Sequence, residues 1–324
     1  MENIKKKRGA AGRGNRVRVI GRAIVEKFRG DYKTRAEAIL AEGKPYAVMK
    51  GCNIALNVGL NEILTLMCGG GGSGAVFSNA NARLGVGAST TTPAATQTGL
   101  LAQEVVDDAE ANWTAESNVT SALDPGDKKV GSNSVKLTVA SAFTTGLLAY
   151  HDFSSMDLSD YLYIRFWIKS SVARAAGDLR LVLDNTAGCV SPLETLDIPA
   201  LSAGVWTEVS IALADPSLLT AVISVGLDAS VDPGVCDIKI DDIKAVSTWY
   251  KGMEASYPIY GSDQKATFRS VFGSAEGNHP WKEWTVDNGL ADGPVSLNRG
   301  SQDFGIKIAG ETRTLTVEFT LTPE

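Results

Sequence analysis

The sequence predicts a mainly β protein: a discontinuous β-rich host domain with a short helix, and a β-sandwich inserted into it. Two observations lead there. Between Val105 and Val246, short runs such as SVKLTV, LRLVLDN, TEVSIAL and ISVGLD alternate with turn signals, the pattern of a sandwich. The two flanks, by contrast, each hold too few strands for a stable core, so they are expected to pack together. A length of 324 residues and 44% hydrophobic content supply enough material for two such cores.

Residues 1–49 are read as a basic arm followed by a strand. Lys5, Lys6, Lys7, Arg8, Arg13 and Arg16 lie in a Gly-rich stretch without periodicity, which is expected to order only against a partner. From Arg16 to Phe28, Val17, Val19, Ala23 and Val25 fall between charged residues, which predicts a strand. Thr34 to Ala41 suits a short helix. Asn57 is a candidate N-cap for a second helix, with Leu60, Ile63, Leu64 and Met67 at helical spacing. The Gly run after Cys68 stops that helix; it has no Lys and follows no strand, so it is not a phosphate loop. NARLGVG reads as a strand and STTTPAATQTGL as a polar connector.

Inside the insertion, Leu162, Ile164, Phe166 and Ile168 alternate with Tyr163, Arg165, Trp167 and Lys169, one face for the core and one outside. After Ser247, the runs TFRSVFGS, WKEWTVDN and TRTLTVEFTLT are strands of the host. Trp284 is expected in its core, and Trp281 is placed to plug a loop. Leu315, Val317, Phe319 and Leu321 point one way, with a Thr-lined face opposite.

Charge is uneven. The first 50 residues hold 14 of the 31 Lys+Arg and 5 of the 37 Asp+Glu, a local +9, which leaves −15 on the rest. An acidic body with a basic arm suits a protein partner; a nucleic-acid-binding domain would carry its basic residues on a folded face. No apolar run reaches the length of a membrane span, and no secretory signal follows the first lysines, so the chain is expected to fold in the cytoplasm. Cys52, Cys68, Cys189 and Cys236 lack metal-site spacing and are read as buried thiols, with a Cys189–Cys236 pairing left open. His151 and His279, the two histidines, read as turn or surface residues, and nothing marks a pair of carboxylates facing across a cleft, so no catalytic site is expected.

Val105 to Val246 resembles the galactose-binding-like jelly roll of carbohydrate-binding modules, through DDAEANW, SNSVKLTV, FSSMDLSDYLYIRFWIKSS, LDIPALSAGVWTEVSIAL and a closing CDIKIDDIKAV. That resemblance implies a structural calcium held by acids of the first and last strands, here Glu110 or Asp108 with Asp242, together with backbone carbonyls. It also implies aromatic platforms for glycans, for which Trp113, Tyr161, Tyr163 and Trp167 are the candidates.

The flanks, 50–104 and 247–324, resemble a family of tailed-bacteriophage virion proteins through an Asn-x-Gly-Leu-Asn helix, a Leu-Gly-Val-Gly strand, a Thr-Phe-x-x-x-Phe-Gly segment, a Trp-x-Glu-Trp strand and a Leu-Asn-Arg loop. The resemblance implies a structural role, as a capsid decoration or cement protein or as a tail fibre or adhesin. The expected partners are other virion proteins, foremost the major capsid protein, and further copies of the chain; no specific nucleic acid or membrane is expected. The expected place is the outer surface of the particle.

Overall fold

The computed structural model describes residues 17–68, 70–72, 75–290 and 294–323. The six arm residues Lys5, Lys6, Lys7, Arg8, Arg13 and Arg16 lie outside the described residues. In chain order the host domain begins with β1 (Val17–Phe28), α1 (Arg35–Glu42), β2 (Ala47–Ala55), α2 (Asn57–Met67) and β3 (Arg83–Gly87). The insertion follows: β4 (Gln103–Asp107), β5 (Thr114–Ala115), β6 (Val119–Asp124), β7 (Ser134–Val139), β8 (Gly146–Met156), β9 (Tyr163–Ser170), β10 (Leu179–Asp184), β11 (Glu194–Asp197), β12 (Thr207–Ala212), β13 (Val222–Ala229) and β14 (Cys236–Val246). The host resumes with β15 (Thr248–Gly252), β16 (Ile259–Ser262), β17 (Lys265–Phe272), β18 (Glu283–Asp287), β19 (Asn298–Ser301) and β20 (Thr312–Pro323).

The fold is mainly β. Host strands form one nine-stranded sheet in the order β15-β3-β18-β19-β2-β1-β20-β17-β16. It curls until β15 and β17 touch, around a core of Leu84, Phe272, Trp281, Trp284, Phe304 and Val317 among others. Both Trp281 and Trp284 are fully buried. Trp284 lies where the backbone is bare: a Cβ on Gly300 would sit 2.1 Å from its Cζ2, and one on Gly51 2.5 Å from its Cη2. Alanine at either position would drive the indole out of the core.

β1 does not belong with the arm. It pairs with β20 from Val17↔Pro323 to Phe28↔Thr312 and with β2 on its other side, because Ala23 and Val25 complete the host core. α1 starts one residue after its cap: Thr34 accepts from the Glu37 backbone N–H at 3.1 Å, and Glu37 returns a carboxylate to the Thr34 N–H, a capping box. α2 begins at Asn57, so Leu56 takes the cap position expected of Asn57, with no side-chain cap bond.

The insertion is a sandwich of two sheets, β11-β10-β13-β8-β5 and β12-β9-β14-β7-β6, with β4 added to the second through β14. Leu137, Ile164, Phe166, Ile168, Leu181, Val225 and Ile240 fill the space between them. β9 buries every second residue, as its alternation predicts.

β3 and β15 are antiparallel neighbours, Gly87 opposite Thr248, and the whole insertion stands between them. β14 passes into β15 through Ser247 alone, whose N–H reaches Ala102 O at 2.8 Å and whose carbonyl accepts from Ala88 N at 3.1 Å. The two chain ends of the insertion therefore lie side by side. Replacing 105–246 with a short Gly-Ser linker is expected to leave a soluble host with one cooperative thermal transition. An insoluble or unfolded deletion product would show that the host core needs the sandwich.

Candidate functional site

The acidic strands meet as expected, but with different partners. β4 lies against the end of β14, Asp107 opposite Ile243. Asp107 is buried and accepts from Ala109 N at 2.7 Å and Trp113 Nε1 at 3.2 Å while pairing with His151 Nδ1; burial raises its pKa. Asp108 is exposed and caps the Glu110 N–H at 3.2 Å. Glu110 reaches the 128–133 loop, accepting from Ser132 N, Asn133 N and Asn133 Nδ2.

The last-strand acid at this loop is Asp241, not Asp242. Successive strand residues face opposite ways, and a bulge with φ +51° at Asp242 turns that carboxylate toward Lys244 Nζ, 2.6 Å away. Asp241 is fully buried. Its Oδ2 accepts from Lys129 N at 2.7 Å and Val130 N at 3.0 Å, while Oδ1 is buried with no hydrogen-bond partner. Burial pushes Asp241 up to about 6, against the pull of those two N–H groups, and the charges of Asp242 and Glu110 add to the rise. Among the described residues no three His, Cys, Asp or Glu side chains gather closely enough to hold a metal by themselves. The 128–133 loop turns N–H donors toward both Glu110 and Asp241, so what a hard cation would find here is the buried Asp241 Oδ1 that lacks a hydrogen-bond partner.

The aromatic candidates separate. Trp113 is a core residue, 3% exposed, because Asp107 satisfies its indole N–H inside the sandwich. Tyr161 packs half-buried against the same core. Tyr163 is wedged between the domains, its ring centroid 5.6 Å from Trp249 and 6.5 Å from His279. His279, read from sequence as a turn or surface residue, is buried, and its pKa is lowered to about 4 by that burial. Trp167 alone opens onto a cavity, with Lys129 Nζ 4.7 Å from its ring centroid.

That cavity, about 680 Å³, lies between the outer face of the sandwich sheet and the host strands β3, β15 and β18. Trp167, Arg165, Glu208 and Ser210 line it from the sandwich, and Tyr250 and Arg83 from the host. Across the β9–β12 ladder, Arg165 stands opposite Ser210 and Trp167 opposite Glu208, so these four form one patch. The Tyr250 ring lies 4.8 Å from the Arg83 guanidinium and 5.5 Å from that of Arg165. Arg83 is held by Asp287 through two bonds of 3.0 Å. Convergent planar polar groups beside aromatic faces are what polar small-molecule sites are made of. Sequence singled out Trp167 and the outward position of Arg165, but Tyr250 and Arg83 join them only through the packing of the two domains.

The outer face of the other sheet carries Tyr150, an Arg180–Asp228 pair and Asp197, but its middle is closed. The loop after β10 folds back, Gly188 N bonding Asp152 at 2.9 Å, and Cys189 settles over Gly226, where a Cβ would meet its Sγ at 3.0 Å. Cys189 and Cys236 are buried free thiols with separate partners, Ser224 and Arg174, whereas Cys52 and Cys68 are exposed, contrary to their reading as buried.

No protein-family model matches the chain, and no curated protein does. Among solved structures it is similar to the family 11 carbohydrate-binding module of the cellulosomal cellulase Lic26A-Cel5E of Clostridium thermocellum, at 17% identity over 45% of this chain and 95% of that one, TM-score 0.33. It is similar also to the CBM22-1 xylan-binding domain of Paenibacillus barcinonensis Xyn10C, at 12% identity over 47% of this chain and 97% of that one, TM-score 0.30. A third is the family 30 carbohydrate-binding module of the cellulase Cel9D-Cel44B of Clostridium thermocellum, at 16% identity over 44% and 96%, TM-score 0.30.

Proposed function

We propose that this is a non-catalytic structural protein of a tailed-phage particle, a capsid decoration protein, whose inserted jelly roll binds a saccharide in the cleft it forms with the host sheet. The observation that carries the binding is the cleft of about 680 Å³, in which the Trp167 ring lies beside the polar side chains of Arg165, Glu208 and Ser210. Sugars are held by that combination of apolar ring contact and planar polar groups. The virion role rests on the Asn-x-Gly-Leu-Asn, Trp-x-Glu-Trp and Leu-Asn-Arg motifs of the host and on the basic arm, which suits an acidic shell. A structural calcium on the unpartnered Oδ1 of Asp241 is part of the same reading. Bound there, calcium would neutralise a carboxylate that burial otherwise disfavours.

Screening the protein against host-surface oligosaccharides is expected to yield a ligand whose affinity falls about tenfold or more in Trp167→Ala, with an unchanged melting temperature. Antibody raised to the jelly roll is expected to decorate the heads of intact particles densely. Labelling confined to the tail tip would reassign the protein as a tail adhesin, and none before the particle is broken would reject surface display. A glycan that binds Trp167→Ala as well as the parent protein would remove the cleft from the proposal.

A further inference from the structure

The strand registers give the host sheet two poles. From β3 round to β1, Gly87 and Phe28 mark the pole that carries the insertion, and Arg83, Ala55 and Val17 mark the pole opposite. That opposite pole is apolar. Ile20 and Ile54 stand side by side on the outer face of the sheet, one step beyond Gly21↔Asn53, and Leu321 closes the next strand. All three are exposed. α2 starts at this pole, because Leu56 N bonds Leu297 O at 3.1 Å and Gly59 packs its bare backbone on Leu297, where a Cβ would meet Cα at 2.5 Å. Ile63 faces the core, yet Leu64 and Met67 are 58% and 77% exposed. Glu62, the one charged residue of the helix, is buried. A surface helix ordinarily turns charge outward, and this one turns out leucine and methionine.

The chain also enters the fold at this pole, at Val17 opposite Pro323. Residues 1–16, outside the described residues, hold six Lys and Arg against the single acid Glu2. Apolar side chains beside a basic segment fit a protein surface with an apolar hollow and an acidic rim. A second copy does not fit, since two such poles face to face would bring two basic segments together. Nor does a bilayer, because Asn57, Asn61 and Thr322 are exposed alongside the apolar groups, and hydrocarbon would leave them unpaired.

Resting on the virion reading above, we propose that this pole is the seat of the protein on the shell. Its occupant is an acidic surface of the shell protein, with an apolar hollow that takes Leu64 and Met67. The insertion then leaves from the far end of the host sheet.

The test measures copies per particle by quantitative mass spectrometry when the full chain or a variant is supplied during assembly. Leu64→Asp/Met67→Asp is expected to lower incorporation about tenfold or more with an unchanged melting temperature, whereas Val231→Asp/Val235→Asp in the insertion is expected to leave it unchanged. In otherwise unaltered protein, p-benzoylphenylalanine in place of Met67 is expected to crosslink to the shell protein on irradiation, and in place of Val235 it is not. Full incorporation of the Leu64→Asp/Met67→Asp protein would overturn the seat and leave the virion reading standing. Absence of the parent protein from particles would overturn both. Parent protein that sediments with phosphatidylglycerol vesicles, or as a dimer, and loses this in the double variant would replace the shell with a lipid surface or a second copy.

Discussion

Arg299→Met is expected to destabilise the protein by about 3–5 kcal/mol, the cost of breaking a buried ion pair by removing one partner. Arg299 and Glu283 are both fully buried, joined by an Nε–Oε2 hydrogen bond of 2.9 Å and an Nη2–Oε2 distance of 2.8 Å. They are the Arg of the Leu-Asn-Arg loop and the Glu of the Trp-x-Glu-Trp strand. The pair also ties down the long connector between β3 and β4. Glu283 accepts from Leu101 N and Ala102 N, and Arg299 Nη1 donates to Thr91 O at 2.9 Å and Gln97 Oε1 at 3.0 Å. With the guanidinium gone, a carboxylate remains in the interior and two connector acceptors lose their donor. Urea denaturation measures the loss. The double variant Glu283→Leu/Arg299→Met is expected to recover part of it, since an apolar pair leaves no buried charge behind. A single-variant loss below about 1 kcal/mol would mean that water reaches the pair.

Calcium is expected to raise the melting temperature at pH 7 and to do much less near pH 5. In the calcium-free protein Asp241 titrates at about 6 instead of its ordinary 3.8, so folding favours its protonated form. The stability contributed by that proton is complete below about pH 3.8 and is lost as pH rises through about 6. Two pKa units correspond to roughly 3 kcal/mol. A cation restores what the departing proton removed, and at a hundred times its Kd it adds about 2.7 kcal/mol. Asp241→Asn is expected to stabilise the calcium-free protein at pH 7 and to abolish the calcium response, whereas Asp242→Ala is expected to keep it. Thermal melts with calcium and with chelator, at both pH values, decide this; a response that depends on Asp242 would return the site to the neighbouring residue.

Much of the fold is legible in the sequence where one face is buried and the period is unbroken. β7 and β14 occupy the residues expected of them, and α1 announces itself through Thr34 and Glu37. Legibility fails where the period breaks. The resemblance points to Asp242, but a bulge there turns its carboxylate to Lys244, and the neighbouring Asp241 takes the bonds from the 128–133 loop. β2 carries no clear strand signal, because Val48 and Ile54 lie on its exposed side and its apolar residues do not mark the core. β8 ends in HDFSSM, whose polar residues hide a strand. The cleft was out of reach for a different reason. Its sandwich half is visible in the alternation of β9, but its host half comes from β3, β15 and β18, and only the way the two domains meet brings Tyr250 over Arg165.

The single residue between β14 and β15 has a mechanical consequence. If a particle is tethered through ligands on its sandwich, tension leaves that domain by two adjacent strands heading the same way, along β3 and β15. The pull does not slide those two past each other. It loads the ladder between β3 and β18 lengthwise, from Glu283↔Gly87 to Asp287↔Arg83, so those backbone bonds share the force at once instead of opening one after another from an edge. The attachment behaves as a bolted bracket and not as a swivel, and a tether here is expected to fail at the ligand before the host sheet parts.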